Sequence, residues 1–307
     1  MLIMNGNQCA AGIVLFKPDI DRLKENIDAV APQVQSVYCF NNGVENMRAL
    51  EQLLSSYSNI RLIGEGKNLG IATALNKLIE QADNDDIKWI LTLDQDSVVS
   101  YNMVAVLASL TNQTDVAIIC PQIEDVRRKN EKAVYTSDTV EDVNFCITSG
   151  SLMNVKKTIE IGGFDDYLFI GLVDDEICYR VRLNGYKILR NNAVVLNHEL
   201  GNLTPSKHER MWLNLGTALN SERIKKLSYK REVSPMRLYY ATRNMIYLKR
   251  KYINYIESKY WNRRAIINSI SSLIRGDRKI DVLSAIIKGI RDGSAYSVSP
   301  IIIIKKD

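Results

Sequence analysis

Short apolar runs alternate with helical patterns over the first 120 residues. AAGIVLF (10–16), SVYCFNN (36–42), IRLIGEG (60–66), KWILTLDQD (88–96) and DVAIICP (115–121) read as strands. Each is a short continuous apolar run closed by turn-prone residues. Between them, Pro18 and Asp19 open a helix through Val30. Met47, Leu50, Leu53 and Leu54 mark one face of a second helix over 45–57, and a third runs from Leu69 to Ala82. Strand–helix alternation of this regularity predicts an α/β fold: a Rossmann-like, mostly parallel central sheet with helices on both faces. Ligands of such sheets bind beyond the carboxyl ends of the strands. That rule selects Pro18–Asp19, Asn41–Asn42, Gly66–Asn68 and Asp94–Asp96.

Residues 122–145 are polar without a clear period and read as a loop or an irregular edge hairpin. Apolar patterning resumes over 146–155. Residues 162–191 hold a turn, a helix and a return strand, and VVLNHEL (194–200) reads as another short strand. Beyond about residue 210 the character changes. From Met236 to Trp261 there is no Gly or Pro, and Leu238, Ala241, Met245, Leu248, Tyr252 and Tyr255 recur at spacings of three and four. That is one amphipathic helix. Two more are expected at 263–275 and 280–292, stopped near Gly276 and Gly293. The predicted organisation is therefore an α/β domain over 1–210 and a helical C-terminal region over 211–307.

Charge sharpens that division. The 307 residues carry a net +5, yet residues 221–307 hold 20 Lys+Arg against 7 Asp+Glu, leaving the front of the chain acidic. The five cysteines are odd in number and lie in apolar stretches without C-x-x-C spacing. They read as buried free thiols of a reducing compartment. With two histidines, a zinc site is not expected. The start lacks a basic leader region and no run of about 18 apolar residues occurs, so a cytoplasmic protein is expected.

Asp94-Gln95-Asp96 is the sharpest chemical signal. If the strand continues, alternation puts the two carboxylates on one side, about 7 Å apart. Hard divalent cations take one or two such carboxylates together with substrate phosphates. The structural alternative is a helix N-cap at Asp96 or Ser97. Asp174-Asp175-Glu176 is either an acidic first helical turn balanced by Arg180 and Arg182, or the carrier of a general base. His198, where strand meets polar loop, is either structural or a ligand of metal or diphosphate. Arg243, in Tyr239-Tyr240-x-x-Arg243-Asn244, suits a phosphate, although Arg on such a helix commonly faces solvent. No P-loop, G-x-G-x-x-G or G-x-S-x-G motif is present.

In order, VLFKPD (14–19), CFNNG (39–43), GKNLGIATALN (66–76), LTLDQDS (91–97), TSGSL (148–152), GGFDDYLFIGLVDDEICYRVRLNGY (162–186), NHELG (197–201) and LYYATRN (238–244) resemble the glycosyltransferase family 2 enzymes of the GT-A fold. Within that family they are most similar to bacterial rhamnosyltransferases of surface-polysaccharide synthesis. The resemblance implies a GT-A domain with a C-terminal helical extension. It implies Pro18 and Asn41 in the nucleoside pocket, the latter where many members carry Asp. It implies Asp94 near the ribose, Asp96 on a divalent metal (Mg²⁺ or Mn²⁺), and His198 beside the metal or diphosphate. Asn68, in the third strand-end cluster, joins the substrate-binding group. The base falls on Asp174, six residues before Arg180, and Arg243 falls near the donor phosphates or the acceptor. The implied reaction is inverting transfer of a sugar, L-rhamnose from dTDP-rhamnose, to a polysaccharide or lipid-linked glycan. Alternatives are a UDP-hexose donor on the same fold, a non-catalytic glycan-binding module, and a basic membrane scaffold. For the basic tail, the expectation is peripheral contact with the inner face of the membrane; the alternatives are a soluble subdomain or a homodimer interface. No nucleic-acid partner is expected.

Overall fold

The computed structural model describes residues 9–125, 139–198, 203–206, 208–225, 228–231, 234–255, 258–275 and 278–301. Contacts divide the chain into two compact units: Met1–Phe169 with Val173–Glu199, and Ile170–Leu172 with Leu200–Asp307.

The first unit is built on β1 (Cys9–Leu15), α1 (Ile20–Val30), β2 (Ser36–Asn41), α2 (Met47–Leu54), β3 (Ile60–Ile63), α3 (Ile71–Asn84), β4 (Trp89–Asp94), α4 (Met103–Ala108), β5 (Val116–Asp125), β6 (Val140–Asp142), β7 (Ser151–Asn154), α5 (Val155–Glu160), α6 (Val173–Leu183) and β8 (Lys187–His198). The strands form one sheet in the order β3-β2-β1-β4-β7-β5-β8-β6. Six of the eight point the same way; β6 and β7 are reversed. The fold is that of a Rossmann-like α/β domain carrying a helical extension, as the alternation predicts.

Every residue of β1 is buried, which is why CAAGIVL is apolar throughout: a central parallel strand is covered on both faces. Ala11, Ile13 and Leu15 share a core with Leu23 and Ile27 of α1 and Leu50 of α2. On the other face, a Cβ on Gly12 would meet Leu78 of α3 at 3.2 Å. Asp19 starts α1 by accepting hydrogen bonds from the Asp21 and Arg22 backbone N–H groups, both 3.0 Å.

Several boundaries differ from the expectation. Residues 122–125 extend β5, and 140–142 form the edge strand β6, so only part of 122–145 is loop-like by pattern; 126–138 lie outside the described residues. The expected strand at 194–200 is the second half of β8, continuous with it through a register shift against β5 between Pro121 and Gln122. A bulge interrupts the alternation that would have joined the two halves in sequence.

The second unit contains β9 (Leu203–Pro205), α7 (Glu209–Ala218), α8 (Glu222–Lys225), β10 (Tyr229–Arg231), α9 (Pro235–Lys251), α10 (Ser258–Arg275) and α11 (Lys279–Ala295). The ribbon β9–β10 is antiparallel and was not foreseen. The helix expected over 236–261 is two helices, α9 and α10, with a turn after Lys251. Nor does α11 stop at Gly293. A Cβ there would fall 2.6 Å from the Arg243 carbonyl oxygen, and one at Gly289 2.8 Å from that of Tyr239. These glycines are contact points with α9, not terminators.

Candidate functional site

Register gathers the predicted strand-end residues. In the β1–β2 ladder Leu15 faces Asn41, and in the β1–β4 ladder Val14 faces Asp94. Phe40 faces Ile63, so the segment leading to Asn68 leaves the same edge. Because β7 runs antiparallel to β4, with Thr92 opposite Ser151, the residues just before β7 also arrive there. The carboxyl edge thus carries Pro18, Asn41, Asn68, Asp94 and the loop 148–150 together.

Asp94-Gln95-Asp96 forms a turn, closed by Ser97 N–H donating to the Asp94 carbonyl at 3.2 Å. The strand does not continue, so alternation does not set the two carboxylates. Neither Asp96 nor Ser97 caps a helix either, since α4 begins only at Met103. The turn is pinned from several sides. Gln95 pairs with the backbone of Phe16 through both amide atoms, at 2.9 and 3.1 Å. Asn26 Nδ2 donates to the Asp94 carbonyl at 2.7 Å and Arg22 Nε to the Asp96 carbonyl at 3.1 Å. The side chains of Asp94 and Asp96 remain exposed.

The loop Thr148–Ser151 connects this turn to the predicted base. Ser149 Oγ accepts from the Asp94 N–H at 3.0 Å and lies 2.8 Å from Ser97 Oγ. Its neighbour Thr148 donates to Asp174 Oδ1 twice, from N–H at 2.9 Å and Oγ1 at 2.7 Å. Gly150 turns the loop at φ +82, and a Cβ there would lie 2.8 Å from Leu196 Cδ2, so only glycine fits. Asp174 occupies the first turn of α6, where the helix dipole favours a carboxylate. Two hydrogen bonds on one oxygen orient its carboxylate. Sequence reasoning had no role for Thr148 and Ser149; their signal was the polar TSGS cluster between apolar runs.

The remaining acidic residues of α6 separate. Glu176 is buried and pairs with Arg180 at 2.5 Å, and Arg182 pairs with Asp142 of β6. Arg180 thus balances Glu176 within α6, as the acidic-turn reading expects, while Arg182 reaches Asp142 on β6. Asp175 lines a cavity of about 330 Å³ with Asp174, Ile123, Phe145, Cys146 and Ile147. Cys146 Sγ is 3.7 Å from Cys178 Sγ. The Cys146 thiol is held well above its ordinary range, first by its hydrogen bond to Cys120 and also by burial, and that of Cys178 by its bond to Cys146 and by burial. These are neutral packing thiols, not nucleophiles.

Asn41 is buried, and its Oδ1 accepts from the N–H groups of Gly43 and Val44 at 3.2 and 3.0 Å. Asn42 Oδ1 holds Leu69 N–H at 2.7 Å, and Asn68 Oδ1 holds Gly70 N–H at 3.0 Å. This network joins the ends of β2 and β3 to the start of α3. His198 closes β8, its backbone opposite Asp125; its side chain lies outside the described residues. Arg243, in the second unit, does not face solvent. It is buried, donates to Asn244 Oδ1 from Nε and Nη2 at 2.9 and 2.8 Å, and lies 4.7 Å from the Tyr240 ring. Asn244 Nδ2 in turn donates to the Ile170 and Gly171 carbonyls.

Among the described residues, no three His, Cys, Asp or Glu side chains cluster as a metal site. The chemistry of the edge still fits a hard cation. Asp96 offers an exposed carboxylate on a pinned turn, the donor type such ions take beside substrate phosphates.

The family described as Glycosyl transferase family 2 matches residues 13–174, just over half of the chain. The chain belongs to glycosyl transferase family 2. It is similar to dTDP-rhamnosyl transferase RfbF of Shigella flexneri, 25% identical over 264 residues that cover 81% of each chain. Solved structures share the fold. GalNAc-T7 with UDP, GalNAc and Mn²⁺ superposes at a TM-score of 0.60 with 14% identity, over 94% of this chain and 55% of its own. The mannosyltransferase PcManGT of Pyrobaculum calidifontis with GDP-Man and Mn²⁺ gives 0.54 with 12% identity, over 93% and 87%. Among the described residues of this family 2 glycosyltransferase, no helix is long and apolar enough to cross a membrane.

Proposed function

We propose that the chain transfers a sugar with inversion from a nucleoside-diphosphate donor, dTDP-L-rhamnose, to a hydroxyl of a polysaccharide or lipid-linked glycan. One observation carries the reading. Loop 148–149 ties the Asp94–Asp96 turn and the Asp174 carboxylate together, which is what a single transfer centre needs. The choice of rhamnose rests on the similarity to RfbF.

In this reading Pro18, Asn41 and Asn68 border the nucleoside and Asp94 lies near its ribose. Asp96 and His198 hold a divalent cation, which supplies charge neutralisation for the diphosphate. Asp174 accepts the proton of the acceptor hydroxyl as that oxygen bonds to the anomeric carbon. The bond from that carbon to the diphosphate breaks, and its electron pair leaves with the diphosphate. Thr148 keeps the Asp174 carboxylate aimed, so little reorientation accompanies the step.

The second unit suggests where the acceptor is met. Val282, Ala285, Ile286, Gly289 and Gly293 of α11 are buried. A second apolar stripe, Ile280, Leu283, Ile287 and Ile290, faces outward, with Ile280 at 85% exposure. Helical spacing sets exposed Lys279 and Arg291 along its margins. We read this stripe, in a region of strong positive charge, as a contact for an anionic membrane surface, because a second copy would bring like charge against it. Flotation with phosphatidylglycerol vesicles at low salt, lost in Ile287→Glu, is the expected result. Protein that stays in solution with those vesicles contradicts the contact.

Calorimetry with dTDP-rhamnose, UDP-glucose, UDP-galactose and GDP-mannose, with Mn²⁺ and with EDTA, tests the donor. Metal-dependent binding of dTDP-rhamnose, lost in Asp96→Ala, is expected. Preference for another nucleotide sugar discards rhamnose, and binding of none of the four argues against the enzyme reading.

A further inference from the structure

Exposed phenylalanines are common and usually need no account. Phe145 differs because its position is fixed and its neighbours are chemical. It is 47% exposed, and with Ile123 at 38% exposure it walls the cavity that holds Asp174 and Asp175. Its ring packs perpendicular to that of Tyr179, with centroids 5.2 Å apart and planes at 85°. Tyr179 is buried in α6, the helix that carries Asp174. Phe145 also lies three residues before Thr148, which orients the Asp174 carboxylate. One helix and one loop therefore reference both the aromatic wall and the base.

Ile123 reaches the cavity because β5 runs on past Pro121, with Gln122 buried and Ile123 turned outward by strand alternation. The result is an apolar wall of Phe145, Ile123 and Ile147 in a cavity that Asp174 and Asp175 also line. A volume of about 330 Å³ falls within the range of small-ligand sites.

A pyranose ring matches both halves of such a wall. Its C–H groups form an apolar face that packs on the negative face of an aromatic ring. Its hydroxyls lie around the rim, where carboxylates accept their protons in hydrogen bonds. A phosphate would meet two like charges, and a lipid alcohol carries a single hydroxyl and no rim of them.

We propose that this cavity binds the terminal sugar of the acceptor, its apolar face against Phe145 and Ile123 and a hydroxyl beside the reacting one on Asp175. The proposal rests on Asp174 being the base, and narrows the acceptor to a saccharide that ends in a pyranose. Phe145 is then a specificity-determining residue on the acceptor side, without a part in donor binding.

The test uses the full chain with dTDP-rhamnose, Mn²⁺ and a panel of methyl pyranosides (glucose, galactose, mannose, rhamnose and N-acetylglucosamine), with 1-hexanol and glycerol phosphate as controls. Saturation-transfer NMR reads binding through the ring protons, and calorimetry reads the donor separately. At least one pyranoside should bind, and neither control. Phe145→Ala should weaken that pyranoside by about tenfold, the scale of one stacking contact. Phe145→Trp should restore it, and both variants should keep wild-type donor affinity. If the wild-type chain binds donor and transfers sugar while Phe145→Ala leaves pyranoside affinity unchanged, the platform is wrong and the enzyme reading stands. Binding of the hexanol or the phosphate in place of every pyranoside overturns the saccharide assignment. If no donor binds, the reading of Asp174 fails first and the platform falls with it.

Discussion

The two units spend their hydrophobic residues differently. In the first, one buried cluster runs from Cys9 through Leu91 to Leu196, beneath a sheet whose central strand is covered throughout. In the second, the cluster joining α9 and α11 consists of Leu238, Val282, Ala285 and Ile286, while Ile280, Leu283, Ile287 and Ile290 face outward. The first region uses apolar residues to fix a sheet edge to within a hydrogen bond, as transfer chemistry requires. The second leaves a stripe of them exposed, which signals an unmet surface and not a precise site.

That contrast can be broken by substitution. The largest effect is expected in the first unit, where Leu91→Ala removes a fully buried side chain and should cost about 2–5 kcal/mol, read by urea unfolding. In the second unit, Asn244→Ala removes an acceptor of the buried Arg243 and the donor to two carbonyls. It should cost about 1–3 kcal/mol. An effect below that range would mean these bonds are dispensable.

Thr148→Val keeps the shape and removes one of the two bonds to Asp174. Transfer should slow by about tenfold with donor affinity unchanged, the value of roughly one hydrogen bond to a charged group. A rate equal to wild type would mean the loop does not aim the carboxylate. Asp85 sharpens the pH behaviour of the first unit. The Tyr38 hydroxyl at 2.6 Å and the Arg61 guanidinium at 2.7 Å hold its carboxyl below the usual range. Its folded value is depressed, so its contribution is complete above the ordinary carboxylate value of about 3.9 and is lost as pH falls through the folded one. Asp85→Asn should therefore lower the urea midpoint at pH 7 and merge with wild type in strong acid. The smallest effect is expected for Ile287→Glu, at 58% exposure, which should change stability by no more than about 0.5 kcal/mol while abolishing vesicle binding.

The sheet was legible because a central parallel strand must be apolar on both faces, and CAAGIVL and WILTL say so directly. Asp19 as the residue that opens a helix was equally plain, standing just before the helical pattern that begins at Ile20. What could not be read was whatever depends on a distant partner. The Asp94–Asp96 turn is set by Asn26, Phe16 and Ser149, none of which periodicity connects to it. The length of β8 hid behind its bulge. Gly293 looked like a helix stop because sequence does not reveal that α9 lies 2.6 Å from where its Cβ would be. Arg243 was read for a phosphate, with solvent as the alternative; its burial against Tyr240, with Asn244 among its acceptors, is a local arrangement that helical spacing alone does not set.

The central claim is that Asp174, held by Thr148, removes the acceptor proton. The direct measurement is transfer by Asp174→Asn on protein whose donor affinity has been checked by calorimetry. Asparagine keeps an oxygen for both Thr148 donors, so the loop should survive. The account predicts wild-type donor binding with transfer lowered by about 10²–10⁴-fold. Transfer at the wild-type rate by a variant that binds donor normally would contradict it.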